Sequence, residues 1–460
     1  MENLIYRSAK ALAEAIRTRE LSSSAVVAAY ISRIKEVNPK LNAVVQTTFE
    51  EAMEQARQAD DDLLRGAIQG PLHGVPMTIK DSLDTAGVIT TAGTRGRARY
   101  VPEKDATVVA RLRAAGAILL GKTNTPELTA VGITDNYVYG RTNNPYDLSR
   151  TPGGSSGGGA AIIAAGGSPF DIGSDTGGSI RMPSHFCGIA GVKPTAGRVP
   201  RTGHIISFDI GYLDRFTHIG PLARFVEDLV LLLPIISGVD WVDPTIVPLP
   251  CRSPMDVSLT RLRVAYFSDN GIETPTGDTV QALVQAVHAL SAGGVTTTEA
   301  RPPGIEKADT LWNSLFLADG GEAIRKLLRA SGTDPVDMHP SIAWTQSDRV
   351  LPARELAVLI VAWKEFQSRM LVFMKDYDAL VCPASATPAS KHGAARRPDF
   401  SYKYPHNLTG WPVVVVRGGT SSEGLPIGLQ VVARPWREDV AFALAQQIED
   451  GLGGWQLPQL

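Results

Sequence analysis

No other stretch narrows the fold as much as Pro152 to Gly203, where glycine, serine, alanine and proline dominate. Such a composition belongs either to a flexible linker or to tight turns packed around a site. A linker does not carry Ala160-Ala161-Ile162-Ile163-Ala164-Ala165, which reads as a short buried helix, nor Phe170 and Ile172 in strand alternation. The turns are therefore expected to surround a site. The whole chain turns often, with 44 glycines and 31 prolines among 460 residues, above average usage. A hydrophobic share of 43% is enough to bury a sizeable core. The formal net charge of −2 argues against a general nucleic-acid or anionic-membrane binder.

The flanking segments read as alternating helices and strands. Ser8 is expected to cap a helix carrying Leu12 and Ile16. Ser22 or Ser23 caps a second, with Val27, Tyr30, Ile31 and Ile34 at helical spacing, expected to stop before Pro39. A third runs from Phe49 to Leu64. Gly70-Pro71 and Gly74 introduce a strand, Val75 to Ile79, that runs into Lys80. Asp105 is expected to cap a helix reaching Ala115, and Ala117 to Leu120 reads as the next strand. This alternation predicts an α/β fold. Beyond Pro250, Leu262 to Phe267 reads as a strand and Val280 to Leu290 as a helix. Between Ile305 and Met374 lie helical stretches with Trp312, Phe316, Trp344, Trp363 and Phe366, which either fill a core or line an apolar pocket. Val413 to Val416 and Ile427 to Val432 read as two buried strands joined by a Gly-rich turn, followed by a helix from Asp439 to Glu449. There is no internal repeat and no clean domain boundary.

Several function classes fall away. Cys187, Cys251 and Cys382 lie far apart, with no Cys-x-x-Cys and no histidine at metal-ligand spacing, so neither a disulfide framework nor a metal site is expected. A reducing cytosol is the simpler setting. Met1 to Arg7 lacks the pattern of a signal peptide, and the apolar run Leu229 to Ile236 is too short to span a bilayer and contains Pro234. A soluble cytoplasmic protein is expected. Gly116 to Thr123 matches the phosphate-binding Gly-x4-Gly-Lys-Thr pattern, but a helix precedes it and its inner residues are strand-forming apolars, the reverse of what such a loop needs. Gly153-Gly154-Ser155-Ser156-Gly157 matches a nucleophile elbow, but Asn143 to Pro152 before it is polar and Pro-interrupted where the elbow needs a strand. Neither His392 nor His406 sits in a setting that marks it as the base an elbow requires.

A third constellation survives. Lys80 ends an apolar strand, where desolvation lowers an amine towards a working base. Ser155 sits in a Gly-rich loop, and Ser179 ends a second, Asp175-Thr176-Gly177-Gly178-Ser179, whose glycines let successive N–H groups face one concavity. Taken singly, each residue has a bland reading: a surface charge, a turn residue and a helix cap. Together they make an acyl-transfer apparatus that needs neither histidine nor metal.

With their surroundings, these residues resemble the amidase signature family. The resemblance runs through Pro71 to Asp81, Gly121 to Glu127, Pro152 to Gly158, Gly173 to Arg181 and Cys187 to Thr195. Near the C-terminus it includes Asn407 to Pro412 and Gly424 to Gln430. It implies a single α/β domain over 1–460 with a large mixed twisted sheet covered by helices. Residues 65–250 would be the signature core, 250–400 a variable substrate-pocket region, and 405–460 the strands and helix that complete the core. It implies Ser179 as nucleophile, Ser155 as bridging serine after a cis Gly154–Ser155 peptide, and Lys80 as base. Backbone N–H groups of Thr176, Gly177, Gly178 and Ser179 would form the oxyanion hole, and Glu127, Leu128, Thr129, Ala130 and Val131 would lie beside the acyl site. The implied activity is hydrolysis of amides, aryl amides or carbamates (urethanes), as in free-standing bacterial amidases, aryl acylamidases and urethanases, with no cofactor. The partner expected is a small-molecule substrate, with no nucleic acid and no membrane; homodimers are frequent in the family. Two alternatives stand beside this: the glutaminase subunit of a tRNA-dependent amidotransferase, and a non-catalytic binding protein on the same fold.

Overall fold

The computed structural model describes residues 4–347, 349–394 and 399–460. Its strands are β1 (Val44–Thr47), β2 (Pro76–Lys80), β3 (Ile118–Thr123), β4 (Phe170–Asp175), β5 (Ala190–Lys193), β6 (His218–Ala223), β7 (Arg263–Tyr266), β8 (Thr296–Glu299), β9 (Ala379–Pro383), β10 (Val413–Thr420) and β11 (Pro426–Ala433). They form one sheet in the order β1-β3-β2-β4-β6-β5-β10-β11-β9-β7-β8. β2 runs parallel to β3 and β4, and β7 parallel to β8 and β9, while the other neighbours are antiparallel. The expected mixed α/β fold is the one found. Across the sheet from β3 to β5, and again at β11 and β9, the strands are buried along their length, as is β10 over Val413 to Val416, which is why that stretch reads as an unbroken apolar run rather than an alternation. The edge strands β1 and β8 are four residues long and polar on their exposed positions, which blunts edge-to-edge pairing.

Helix starts follow side-chain chemistry. Ala11 N–H donates to Ser8 Oγ at 3.0 Å, opening the helix Ala9–Arg17, and Ala25 N–H donates to Ser22 Oγ at 3.1 Å, opening Ser23–Leu41. The second helix does not stop before Pro39. The proline sits in the last turn, where its missing N–H removes a single bond, and Asn38 then closes the end by accepting from the N–H groups of Ala43 and Val44 at 2.8 Å. Asp105 is not a cap either. The helix spans Thr107–Ala114, and the Asp105 carboxylate instead accepts from Ala86 N–H at 2.7 Å and pairs with Arg113 at 3.1 Å. The run Leu229 to Ile236 lies within the helix Val226–Ile236, and among the described residues no helix is long and apolar enough to cross a membrane.

Parallel β2 and β4 lie side by side, Thr78 opposite Asp171 and Ile79 opposite Ile172, so their C-terminal ends bring Lys80 and Asp175 to one end of the sheet. The helix Gly157–Ala164 crosses over them at close range. A Cβ at Gly158 would lie 2.4 Å from Asn124 N, and one at Gly159 would lie 2.7 Å from the Asp171 carboxyl group. The glycines of this stretch are therefore there to let a helix touch a sheet, and that contact fixes the loop in front of it.

Candidate active site

Lys80, the last residue of β2, is fully buried. Its Nζ lies 2.6 Å from Ser155 Oγ and 2.9 Å from Ser174 Oγ. Burial drives its pKa down to about 7, against the opposing pull of Asp171 and Asp175. Ser155 follows a cis Gly154–Ser155 peptide and is itself buried. Ser179 is brought beside it: Ser156 N–H donates to the Ser179 carbonyl at 3.2 Å, and Ser179, 7% exposed, lines a cavity of about 900 Å³. Lys80 thus meets Ser155, 75 positions on, and the main chain of Ser179, 24 positions further, is bonded to the residue after Ser155.

The loop before Ser179 is held by Asp175, whose carboxylate accepts from the N–H groups of Gly178 (2.8 Å) and Ile180 (3.1 Å). Arg181 forks onto the same carboxylate with two 3.0 Å bonds, and Asn407 Nδ2 donates to it at 3.0 Å. Burial alone would raise this carboxyl, but Arg181 wins and holds it well below the usual carboxylate range. Arg181 also donates to Lys403 O and Gln430 Oε1, each at 2.9 Å. One consequence corrects the expected oxyanion hole. The Gly178 N–H is spent on Asp175, so it does not face the cavity; among the described residues the N–H groups of Thr176, Gly177 and Ser179 have no acceptor. Gly178 is needed for another reason: at φ +132 with Lys403 packed against it, no side chain fits.

The cavity joins Ser179 to an aromatic wall. Trp312 stacks between Phe316 (4.3 Å between centroids) and Tyr404 (4.0 Å), and Phe400 continues the stack at 5.8 Å. Thr129, Ala130 and Val131 line it. Glu127 and Leu128 do not: the Glu127 carboxylate accepts from the Thr94 hydroxyl (2.8 Å) and the His339 N–H (2.6 Å), while Leu128 packs in an apolar cluster with Ala92 and Ile324. Lys122 of the phosphate-loop look-alike is buried in β3 and donates to Leu83 O (2.5 Å) and the hydroxyls of Thr85 and Thr90. His392 lines the cavity, whereas His406 is buried in the helix Tyr404–Thr409 and does not line it. Ser174, Asp175, Arg181, His204 and Asn407 were not expected from sequence. Only Asp175 carried a signal, an acid leading into a Gly-Gly turn; the others are named by contacts with residues distant in the chain.

Comparison with known proteins places this geometry. The model of the Amidase family matches residues 25–441. Among curated relatives, the chain is 34% identical to the Acylamidase of Rhodococcus erythropolis, covering 97% of this chain and 96% of that one. It is 35% identical to a Glutamyl-tRNA(Gln) amidotransferase subunit of Moorella thermoacetica, covering 97% of each. The solved structure of 6-aminohexanoate cyclic dimer hydrolase superposes with a TM-score of 0.86 at 29% identity, covering 97% of each chain. The fold and these relatives define an enzyme that hydrolyses amide C–N bonds. The chain belongs to the Amidase family.

Proposed function

We propose that this chain cleaves amides, and carbamates among them, whose acyl part is apolar and planar or extended, through an acyl-enzyme on Ser179. The observation that carries this reading is the Lys80 amine, buried, 2.6 Å from Ser155 and able to be neutral near pH 7, beside a serine that opens on an aromatic cavity. Neutral Lys80 takes the Ser155 proton as Ser155 takes that of Ser179. Ser179 Oγ bonds to the acyl carbon, and the resulting oxyanion is received by the N–H groups of Thr176, Gly177 and Ser179. The C–N bond breaks as Ser155 passes the Ser179 proton to the departing amine and takes its own back from Lys80, without which an amine anion would have to leave. Water then attacks the acyl-enzyme, releasing the acid and restoring Ser179. The stacked rings of Phe316, Trp312, Tyr404 and Phe400 give the acyl part an apolar wall to lie against.

The test is a panel of p-nitroanilides, primary amides and aryl carbamates with wild type and Ser179→Ala, together with fluorophosphonate labelling. The expected result is turnover of aryl substrates and labelling of Ser179, both absent in the variant. Wild-type turnover by Ser179→Ala would overturn the assignment. The similarity to an amidotransferase component favours a second reading, in which glutamine is the amide and a partner protein takes the ammonia. Turnover of anilides by the purified chain alone, with none of glutamine, decides against it.

A further inference from the structure

Behind Lys80 lies a polar chain that the proton relay leaves unused. Lys80 Nζ donates to Ser174 Oγ at 2.9 Å, and Ser174 Oγ lies 3.0 Å from His204 Nε2. All three side chains are buried. The imidazole has no freedom to wander. Asp84 N–H donates to Gly203 O at 2.8 Å and Ile205 N–H to Ser82 O at 2.9 Å, with a bridge between Leu83 and His204. The loop bearing His204 is thus paired to the residues that directly follow Lys80. Nδ1 of the ring lies 3.1 Å from the Ile206 carbonyl.

We propose that His204 is a positioning residue for Lys80: its Nδ1–H donates to Ile206 O, its Nε2 accepts the Ser174 hydroxyl proton, and Ser174 then offers Lys80 only lone pairs. The inference rests on the Ser179–Ser155–Lys80 reading. A neutral amine has two N–H bonds and one lone pair, and a hydroxyl has one O–H. If the Ser174 O–H turned towards Lys80, it would occupy the lone pair that must receive the Ser155 proton. With that O–H held on His204, Lys80 donates one N–H to Ser174 and keeps its lone pair for Ser155. The opposite tautomer, with Ile206 N–H donating to Nδ1 at 3.1 Å, releases the Ser174 O–H to compete. The ring is suited to this passive task because it stays neutral. Burial, then the charges of Lys80, Arg201 and Arg97, drive it down to about 3. On the other side of the chain, Asp171 and Asp175 are the carboxylates facing Lys80.

The experiment measures kcat and KM on one p-nitroanilide, across pH, for wild type, Ser174→Ala, His204→Phe, the double variant, His204→Gln and Ser179→Ala. His204→Phe is expected to lower kcat on the order of tenfold, the worth of one neutral hydrogen bond, with KM unchanged. The double variant should be no slower than Ser174→Ala, because His204 acts only through Ser174. His204→Gln, which keeps an acceptor, should recover most of the rate, and the acid limb of the profile should stay in place. Losses that simply multiply in the double variant, or a rise confined to KM, overturn the proposal. Should His204→Phe fail to fold, magnetic resonance of histidine-labelled wild type, assigned with His204→Gln, decides: a proton on Nδ1 supports the proposal and one on Nε2 overturns it. Activity retained in Ser179→Ala would sink the catalytic reading itself, whereas multiplying losses beside an inactive Ser179→Ala sink only the role of His204.

Discussion

At the scale of single residues, the site works by opposing burial against charge, and the outcome differs from group to group. For Asp175, Arg181 and several N–H donors outweigh burial and the carboxylate stays ionised. For Lys80 nothing outweighs it: the carboxylates that oppose burial are not in salt-bridge contact, so the amine falls from 10.5 to about 7. A lowered lysine is charged below its folded pKa and neutral above it, and only the neutral form can take a proton. The expected kcat/KM therefore rises with pH through about 7 and levels off above it, and Lys80→Ala should remove both the activity and that limb. A rise that continues towards 10.5 would show an unperturbed amine. Lys80, Ser155 and Ser179 were legible in the sequence because their types and settings are local: a strand end and two Gly-rich loops. Ser174, His204 and Asn407 were not, because a lone serine, histidine or asparagine is silent until the fold supplies its partner. The Gly178 N–H was misjudged for the same reason, its acceptor being the Asp175 side chain rather than a substrate.

At the scale of elements, the sequence spoke clearly where an amphipathic period or a cap was present. The helix Phe49–Leu64 has the bounds its composition suggested, and Ser8 and Ser22 cap as expected. Short strands without a turn signal, such as β5, β6 and β9, were not legible, since four to six buried residues carry no period. Pro39 misled because a proline ends a helix by its chemistry only when the turn beyond it cannot be repaired, and Asn38 repairs it. The Gly-rich helix Gly157–Ala164 was legible as buried but not as to why it holds glycines. The close approach of Gly158 to Asn124 supplies the reason and a prediction. Gly158→Ala should destabilise by about 1–3 kcal/mol, because the main chain of Asn124 cannot yield. Gly277→Ala, at the first turn of the helix Gly277–Ala292 with open space around it, should be neutral or stabilising by about 0.4–1 kcal/mol. Thermal melts of the two variants check this, and equal melting temperatures would refute the close-packing account.

At the scale of the whole molecule, the order of strands decides what can be separated from what. The last two strands, β10 and β11, do not extend the sheet at an edge. They sit in its middle, joining β5 of the half that holds Lys80 and Ser179 to β9, β7 and β8 of the half that carries part of the aromatic wall's support. Buried side chains run across the same seam: Arg181 reaches Gln430 and the Lys403 carbonyl, and Asn407 reaches Asp175. A chain ended after residue 403 loses Gln430 and Asn407 and exposes two unpaired strand edges, β5 and β9, whose lost neighbours carry the buried runs Val413 to Val416 and Ile427 to Ala433. It also strands Arg181 with a buried charge and fewer acceptors, a costly state. Such a chain is expected to be recovered in aggregates and to take no fluorophosphonate at Ser179. A soluble truncated chain that still labels would mean that the site is assembled by residues 4–403 alone, and that the central strands close the sheet without shaping the loop that presents the serine.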